Sequence, residues 1–551
     1  MKKIYYPIIF LISLLQTSCL DLTLEPRNTI TNAIFWKLPQ DFEKAANELY
    51  FGLDFFPKDS YAETMSGLSL NNVSNGTFLA TENDGVWNSG FAYLRLTNSI
   101  LKNCALSDIK DAINTYKGEA LFFRAFFYFG MYQRFGALPI VRNELDLNSP
   151  ELMGSRNSRV EVEDFILADL DEAITLLPNV VSNANKGRIT KGAALAFKSR
   201  VALFIGTWAK YHQSRTDYNN ILAQAIDASE KIITGSGTDG KKYNLYNGKG
   251  LESYRYLFIE EGDDSKESIL DNRYFFNIRT HGNTYGWTWG TVGFPTKTLA
   301  DSYLCDDGLP IDKSAKFQGY EKTTSEYNNR DPRMNMTFIK PGKAILTSEV
   351  SVPFVPAYSF SARPETKSGY RSHKFISEKR YTTGSSSCEY DCHVIRYGEV
   401  LLNYIEAKFE KAGVVSNDEL NQTINLLRAR VGMTAMLSNE FVNTNGLNMQ
   451  NEIRRERTVE LALEGFRHDD LRRWKIAETE MPKALRGVKI KGTEWETKIL
   501  TSQLLVDAEG FLIIESAANR TFDKHKHYLF PLPMQQLSMN PNLKPNNPGW
   551  E

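Results

Sequence analysis

Three glutamates on one predicted helix are the residues whose types and spacing come closest to acid/base chemistry. Glu456, Glu460 and Glu464 recur every four residues between Ile453 and Trp474, so they form one stripe along a helix. A glycosidase needs one carboxyl with a raised pKa and a second carboxyl that stays ionised. The same segment also contains six arginines: Arg454, Arg455, Arg457, Arg467, Arg472 and Arg473. Because nearby guanidinium groups favour the ionised carboxylate, the pattern favours a structural ion-pair network over a catalytic pair.

The apolar residues of this segment predict the helices that carry the charges. Val459, Leu463 and Phe466 stand at i, i+4 and i+7, so they share a helical face that must be buried. Gly465 can supply the left-handed residue that ends the first helix, and a second short helix then reaches Trp474. We therefore expect a helical hairpin with a charged seam.

Cysteine and histidine residues offer a second possible chemistry, which is metal binding. Cys388, Cys392 and His393 lie together in CEYDCH, but a structural zinc site requires a second pair of ligands, which this motif lacks. In an exported protein, a local disulfide between Cys388 and Cys392 is the favoured interpretation, and two reduced thiols are the alternative. We predict no metal site.

Motifs for nucleotide cofactors and for nucleophilic catalysis are also lacking. Gly235, Gly237 and Gly240 match G-x-G-x-x-G, but they follow a predicted helix instead of joining a strand to a helix. The sequence has no Walker loop, no H-E-x-x-H and no G-x-S-x-G elbow. Binding without catalysis, and without a cofactor, is therefore the prediction.

Aromatic and polar residues lie together in RTHGNTYGWTWG, residues 279–290. Tyr285, Trp287 and Trp289 alternate, so they would share one face of an extended segment, and Arg279 and Asn283 precede them. Sugar rings stack their C–H faces on aromatic planes, and their hydroxyls bond to amide and guanidinium groups. We predict that these five residues bind a ligand. The alternative is a core strand whose aromatic residues alternate into the interior.

A polar segment between Ala62 and Val86 is the second candidate for ligand binding. It is rich in Ser, Asn, Gly and Thr, which predicts a long surface loop, and such loops often carry function. Asn83 and Asp84 could supply polar contacts, and Trp87 could supply an aromatic platform. The alternative for Trp87 is packing between helices.

Helical patterns account for most of the remaining chain. Apolar spacing predicts helices over about residues 41–53, 87–106, 111–135, 161–177, 189–208, 218–234 and 424–432, and one that begins near residue 396. Short turns between alanine-rich helices imply closely packed antiparallel hairpins. From about residue 243 to 396, short extended pieces, glycines and aromatic residues take over. The predicted fold is mainly α, with an irregular, loop-rich and partly β lobe.

The amino terminus is similar to a bacterial lipoprotein signal. Lys2 and Lys3 precede an apolar run over residues 8–15 that is too short to span a bilayer, and Cys19 follows closely. We expect cleavage after Ser18 and acylation of Cys19. The alternative is an ordinary secretory peptide that leaves Cys19 unmodified.

Composition excludes one class of partner and favours another. The 551 residues carry a formal net charge of −1, which gives no electrostatic reason to expect nucleic acid. Aromatic residues make up 12% of the chain, which suits a protein that meets flat, amphipathic ligands. After the leader, no run of about 18 apolar residues occurs that would predict a membrane span.

Several segments together resemble the SusD/RagB family. The segment Ile453–Trp474, IRRERTVELALEGFRHDDLRRW, resembles the family signature ERR-x-E-L-A-F-E-G-x-R-x-x-D-L-R-R-W, with departures at Thr458 and Leu463. The segment GEALFFRAFFYFGMYQRFGALPIV at 118–141, the NRDPR turn at 329–333 and the tail YLFPLPMQQLSMNPNLKPNNPGW at 528–550 are also family-like.

The resemblance implies a fold and a domain layout. The fold is a stack of tetratricopeptide-like helical hairpins. The layout is a lipoprotein signal peptide at 1–18, an N-terminal SusD-like helical region at 19–240, a loop-rich ligand-binding lobe at 241–395 and a C-terminal SusD/RagB helical region at 396–551.

The resemblance also implies a function. Members of this family are outer-membrane lipoproteins of Gram-negative bacteria that capture nutrients beside a TonB-dependent transporter. We therefore expect a lipid-anchored protein exposed at the cell surface, not an enzyme, that binds oligo- or polysaccharides and passes them to a SusC-like transporter. Two alternatives remain, which are capture of peptides or glycopeptides by the same fold and a glycoside hydrolase.

Overall fold

The computed structural model describes residues 35–53, 55–288, 290–346, 351–353, 366–379, 387–498 and 504–551. Helices of six or more residues are numbered in chain order: α1 (Pro39–Leu49), α2 (Gly85–Leu106), α3 (Lys110–Phe135), α4 (Arg159–Leu176), α5 (Lys191–His212), α6 (Tyr218–Thr234), α7 (Asn283–Thr288), α8 (Lys297–Ser302), α9 (Pro332–Thr337), α10 (Tyr397–Ala412), α11 (Ile424–Arg430), α12 (Asn439–Thr444), α13 (Met449–Glu460), α14 (Arg467–Arg473) and α15 (Met534–Met539). Shorter α-helical turns are Asn72–Asn75, Ser253–Tyr256, Asn417–Asn421, Ala477–Glu480 and Trp495–Lys498. The strands are β1 (Met65–Ser66), β2 (Ser268–Asn272), β3 (Phe294–Pro295), β4 (Ala344–Leu346), β5 (Ser351–Pro353), β6 (Cys392–Arg396), β7 (Leu485–Lys489) and β8 (Phe511–Glu515).

Long helices of the first half pack as successive hairpins. Helix α2 packs on α3, α3 on α4, α4 on α5 and α5 on α6. Helix α10 then packs on both α5 and α6, so the C-terminal part of the chain closes against this stack. The predicted mainly α fold of stacked hairpins is confirmed.

Helix α3 is the central element of the stack because it is apolar all round. Phe122, Phe123 and Tyr128 point to different sides of the helix, Phe135 shares the side of Tyr128, and all four are buried. A helix of this kind is stable only when neighbours cover every face, which α2 and α4 do on either side of it. The aromatic composition of the segment therefore fixes its place at the centre.

A second, smaller core lies under the irregular lobe. Its centre contains Tyr254, Trp287, Phe338, Tyr370 and Tyr390, all buried. Four two-stranded antiparallel sheets occur in the described residues: β1–β3, β2–β6, β4–β5 and β7–β8. Since none of these sheets is large enough to bury a face by itself, the aromatic core and the loops hold the lobe together.

One predicted boundary in the charged segment is wrong. Helix α13 ends at Glu460, and the turn that follows contains Leu463 (φ 65°) and Gly465 (φ 86°), so the helix does not continue to Gly465. The cause lies far away in sequence, because the carboxylate of Asp59 accepts hydrogen bonds from the backbone N–H groups of Leu463 (2.8 Å) and Arg467 (3.1 Å). Asp59 thus stabilises the turn and the start of α14, which no local pattern could predict.

The predicted leader and its Cys19 lie outside the described residues. Among the residues that are described, every helix is too short or too polar to cross a membrane.

Candidate functional site

Glu460 lies at the centre of a buried ion-pair network. Its carboxylate contacts guanidinium nitrogens of Arg333 (3.0 Å), Arg396 (2.8 Å) and Arg430 (2.7 Å), and its side chain is fully buried. Glu267 forms a second contact with Arg396 (3.0 Å) and with Arg430 (3.1 Å). The family-like signature thus binds together α13, the NRDPR turn, the end of β6 and α11.

The arginines of this network keep the carboxyls of Glu460 and Glu464 ionised. Burial opposes ionisation of Glu460, but the charges of Arg430, Arg396 and Arg333 outweigh burial and hold the pKa of Glu460 well below its usual range. The pKa of Glu464 is lowered in the same way, because Arg396 and Lys374 overcome the cost of burial. A general acid requires a raised pKa, so Glu460 and Glu464 do not suit that role. The contacts of Glu456, Glu460 and Glu464 with arginines form the ion-pair network that the sequence pattern favoured.

The short helix α14 is attached to the helical stack by a second ion pair. Glu406 of α10 contacts the guanidinium of Arg473 and accepts a hydrogen bond from the indole N–H of Trp474 (2.6 Å). Burial opposes ionisation of Glu406, yet Arg473 and Arg457 lower its pKa to about 2. Asp470 completes the group through contacts with Arg457 and Arg473, each at 2.9 Å.

A metal role for the CEYDCH motif conflicts with the hydrogen bonds of His393. Its Nδ1 lies 2.7 Å from the carboxylate of Asp271, and its Nε2 lies 2.7 Å from the backbone oxygen of Leu257. Burial opposes protonation of His393, but Asp271 outweighs it and raises the pKa of the imidazole to about 9. Both ring nitrogens therefore act as donors, which leaves neither free to bind a metal.

The favoured disulfide is wrong, because Cys388 and Cys392 are buried and are not joined by a disulfide bond. Cys392 begins β6, and Cys388 forms an isolated bridge with His281. Four residues of extended chain span roughly 13 Å, whereas the two Cα atoms of a disulfide lie about 4.4–6.8 Å apart. The extended path of this segment thus separates the two thiols.

The segment that contains Tyr285 and Trp287 is not extended, although the alternation of its aromatic residues predicted an extended segment. Residues 283–288 form helix α7, and each helical residue turns by about 100°, so Tyr285 and Trp287 point to nearly opposite sides. Trp287 is 1% exposed and stacks on Phe375 at 5.7 Å, whereas Tyr285 is 43% exposed. Trp289 lies outside the described residues. A stacking role for Trp287 would therefore require the second core to open.

Asn283 is buried at the start of α7. Its backbone N–H donates to Nδ1 of His281 (3.1 Å), and the other nitrogen of His281 lies 2.9 Å from the backbone oxygen of Tyr390. These bonds attach the start of α7 to the segment before β6. Of the predicted polar pair, only Arg279 is at the surface.

The second candidate segment has mainly structural contacts. Asp84 is the N-cap of α2, since its carboxylate accepts hydrogen bonds from the backbone N–H groups of Val86 (2.9 Å) and Trp87 (3.3 Å). The same carboxylate forms an ion pair with Arg134 (2.6 Å). Trp87 is buried against Phe135 at 5.4 Å. The side chain of Asn83 is exposed. The structure therefore leaves only Asn83 of this group accessible to a ligand.

Exposed aromatic residues are concentrated around the turn at residues 275–279, of which only Arg279 was predicted as a site residue. Backbone hydrogen bonds between Phe275 and Arg279 (2.9 and 3.0 Å) close the turn at the end of β2. Phe275, Phe276 and Ile278 are 51%, 63% and 84% exposed. Phe51 and Phe55, at 64% and 51%, come from the segment after α1.

Ring contacts show that the two segments share one surface. The guanidinium of Arg279 lies 4.5 Å from the ring centroid of Tyr274 and 6.0 Å from that of Phe51. Phe55 lies 6.2 Å from Tyr274 and 6.0 Å from His281. We call this set the aromatic surface: Phe51, Phe55, Phe275, Phe276, Ile278 and Arg279.

The sequence marks part of the aromatic surface with two pairs of adjacent phenylalanines that lie outside the helices and strands. In Phe55-Phe56, only Phe56 is buried, and in Phe275-Phe276 both rings are exposed. Large apolar residues grouped on a surface mark binding sites more often than chance exposure does.

The described residues also form two other concave regions. A cavity of about 170 Å³ between α3, α5 and the ion-pair network is lined by charged residues that already pair with one another, such as Arg200 with Glu399 (2.6 Å). An open groove of about 800 Å³ is lined by residues that include Tyr246, Asn247 and Asp263. Burial and the nearby carboxylate of Asp391 raise the pKa of Asp263 to about 8.

Known proteins are similar to this chain over its whole length. A family model described as the SusD family matches residues 256–550, which is more than half of the chain, and a model described as starch-binding and associating with the outer membrane matches residues 40–203. A SusD-like protein of Formosa agariphila is 24% identical over 584 residues, covering 100% of both chains.

Solved structures share the fold. A SusD-like carbohydrate-binding protein of Bacteroides fragilis has a TM-score of 0.77 at 21% identity, covering 93% of this chain and 100% of that chain. A laminarin-binding SusD-like protein has a TM-score of 0.56 at 20% identity, covering 93% of this chain and 99% of that chain.

Removing the charge of Glu460 should destabilise the protein strongly. Glu460→Gln keeps the shape of the side chain but leaves three buried guanidinium groups without their shared anion, which should cost about 3–5 kcal/mol in the free energy of unfolding. Glu172→Gln, at a half-exposed ion pair with Lys117, is the matched control and should change it by less than about 1 kcal/mol. Chemical denaturation followed by circular dichroism measures both. Equal stability of the two variants would contradict the central role of Glu460.

Proposed function

Because the chain belongs to the SusD family, we propose that it is a lipoprotein of the outer-membrane surface that binds nutrient glycans and delivers them to a TonB-dependent, SusC-like transporter. The carbohydrate-binding and laminarin-binding relatives support glycan binding. The description of the model that matches residues 40–203 supports association with the outer membrane.

The aromatic surface is the observation that carries the glycan proposal. Its exposed rings offer flat apolar faces of the kind that sugar C–H groups stack on, and Arg279 offers donors for hydroxyl or acidic groups at the same place. The second core lies directly behind it, where Phe56 packs on His281 at 4.7 Å and on Tyr390 at 5.6 Å. Packing of this kind lowers the entropy cost of ordering the binding surface when a ligand binds.

Peptide or glycopeptide capture would use the same surface, because phenylalanine and arginine are also enriched at protein interfaces. A hydrolase would additionally release products. Incubation of the protein with oligosaccharides and with peptides, followed by chromatography of the mixture, separates the three. Retained and intact oligosaccharide supports the proposal, retained peptide supports the first alternative, and shortened oligosaccharide supports the second.

Trimming the aromatic surface should weaken ligand binding without unfolding the protein. Phe276→Ala removes an exposed ring and should cost on the order of 1–3 kcal/mol of affinity for a bound oligosaccharide, measured by calorimetry. Trp287→Ala should instead lower the free energy of unfolding by about 3–5 kcal/mol, because it leaves a cavity in the second core. Leu147→Ala, at an exposed apolar residue outside the aromatic surface, is the control.

A different result would place the ligand-binding site in the open groove. If Phe276→Ala leaves affinity unchanged while Tyr246→Ala abolishes binding, the ligand binds in the open groove and not at the aromatic surface.

Acylation of Cys19 should hold the protein on the membrane. Each buried acyl methylene contributes about 0.8 kcal/mol, so a protein without acyl chains should lose its anchor. Cys19→Ala should therefore move from the membrane fraction to the soluble fraction in cells that lack the transporter. A variant that stays in the membrane fraction would contradict the lipid anchor.

A stable complex with the transporter should survive mild detergent. The stacked helices give a broad, rigid surface, and interfaces that persist generally bury more than about 2,000 Å². A tag on this protein should therefore copurify a SusC-like barrel expressed in the same cells. Recovery of this protein alone would favour a surface-binding protein that works without a stable partner.

A further inference from the structure

Among the residues that the structure describes, Arg279 differs from most buried or half-buried arginines because it forms no ion pair with a carboxylate. In the part of the chain that the structure describes, no carboxylate lies within ion-pair distance of its guanidinium. Its Nη1 donates to the amide oxygen of Asn272 (2.6 Å) and to the backbone oxygen of Arg273 (3.4 Å). These two bonds fix the position of the side chain and do not neutralise it. A positioned, unneutralised cation at the surface suits an anionic partner.

The charge of Arg279 acts on the aromatic groups around it. Burial lowers the pKa of His281 to about 4, and the positive charge of Arg279 contributes to that lowering. Burial raises the pKa of Tyr274 to about 12, and Arg279 opposes this rise by favouring the phenolate. Both contributions have the sign expected of a positive charge on Arg279.

A second arginine lies beside the aromatic surface. The guanidinium of Arg273 lies 5.1 Å from the ring centroid of Phe275, at the edge of the aromatic surface. Arg273 pairs with Asp264 at 2.8 Å, and Lys186 shares the same carboxylate at 2.7 Å. Two cations thus share one partly exposed carboxylate, and among the described residues Arg273 also lies 3.7 Å from the buried carboxylate of Asp391. Arg273 is therefore paired with acids, unlike Arg279.

We propose that the glycan bound at the aromatic surface is anionic, and that Arg279 binds its carboxylate or sulfate group while the exposed phenylalanines stack on the apolar faces of its sugar rings. This inference rests on the proposed function and names the substrate class of the same site. Phenylalanine rings have no hydrogen-bonding group, so they hold a sugar without orienting it. The guanidinium supplies the directional, charge-assisted bonds that select an acidic sugar.

The test compares three oligosaccharides of equal length: an oligogalacturonate, a sulfated oligosaccharide and a neutral β-glucan. Calorimetry with the full-length protein in detergent should show tighter binding of at least one anionic ligand, with an affinity that falls as salt rises. Arg279→Gln should reduce the affinity for that ligand by about tenfold or more and leave the affinity for the β-glucan unchanged. The ligand that loses affinity identifies whether the anion is a carboxylate or a sulfate.

Two further variants separate charge from folding. Arg279→Lys keeps the positive charge and should retain part of the selectivity, although it loses the planar guanidinium. Arg486→Gln removes a partly exposed arginine of the β7–β8 hairpin and should change neither affinity. Thermal melts should show that all three variants are folded.

Two results would contradict the inference in different ways. Equal affinity for the neutral and anionic ligands, with no effect of Arg279→Gln, overturns the anionic substrate class and leaves glycan binding intact. Failure of all three oligosaccharides to bind to the folded wild-type protein contradicts the proposed function, and the inference falls with it.

Discussion

The charge of Glu460, shared by three buried guanidinium groups, is the interaction on which the remaining structure depends. Arg333 comes from the irregular lobe, Arg396 from the end of β6 and Arg430 from α11, so one carboxylate joins segments distant in sequence. The sheets of the lobe are too small to hold it, and the ion pairs supply connections that hydrogen-bonded strands provide in other folds. Buried ion pairs are costly to desolvate, so such a network is stable only when every charge is matched.

This arrangement separates the residues that hold the fold from the residues that meet solvent. The charged segment at residues 453–474 is mostly buried, and its carboxylates form ion pairs with arginines. The aromatic surface lies on turns supported by the second core, where Phe56, His281 and Tyr390 pack tightly behind it. Ligand specificity can therefore change through the exposed turn residues without disturbing the ion pairs.

The local sequence pattern predicted the bounds of several helices but did not predict the residues of the site. The bounds of α3, α6 and α11 agree with apolar periodicity to within two residues, because each helix is long or strongly patterned. The alternation of Tyr285, Trp287 and Trp289 suggested a strand, yet residues 283–288 are helical and Trp287 fills the second core. Contacts distant in sequence place Trp287 in this core. In the same way, Asp59 accepts the hydrogen bonds that stabilise the turn after α13. The adjacent phenylalanines at 55–56 and 275–276 lie outside the helices and were the available sequence signal for the aromatic surface, whereas the adjacent Phe122 and Phe123 of α3 are both buried.

Hydrogen–deuterium exchange with and without a bound oligosaccharide tests this separation most directly. The account predicts new protection in peptides that cover residues 51–56 and 272–285. Peptides that cover residues 449–474 should exchange slowly in both states and should not change, because the network there is already formed without ligand. Protection that appears only within residues 449–474, with none at the aromatic surface, would show that the ligand binds at the ion-pair network and would contradict the account.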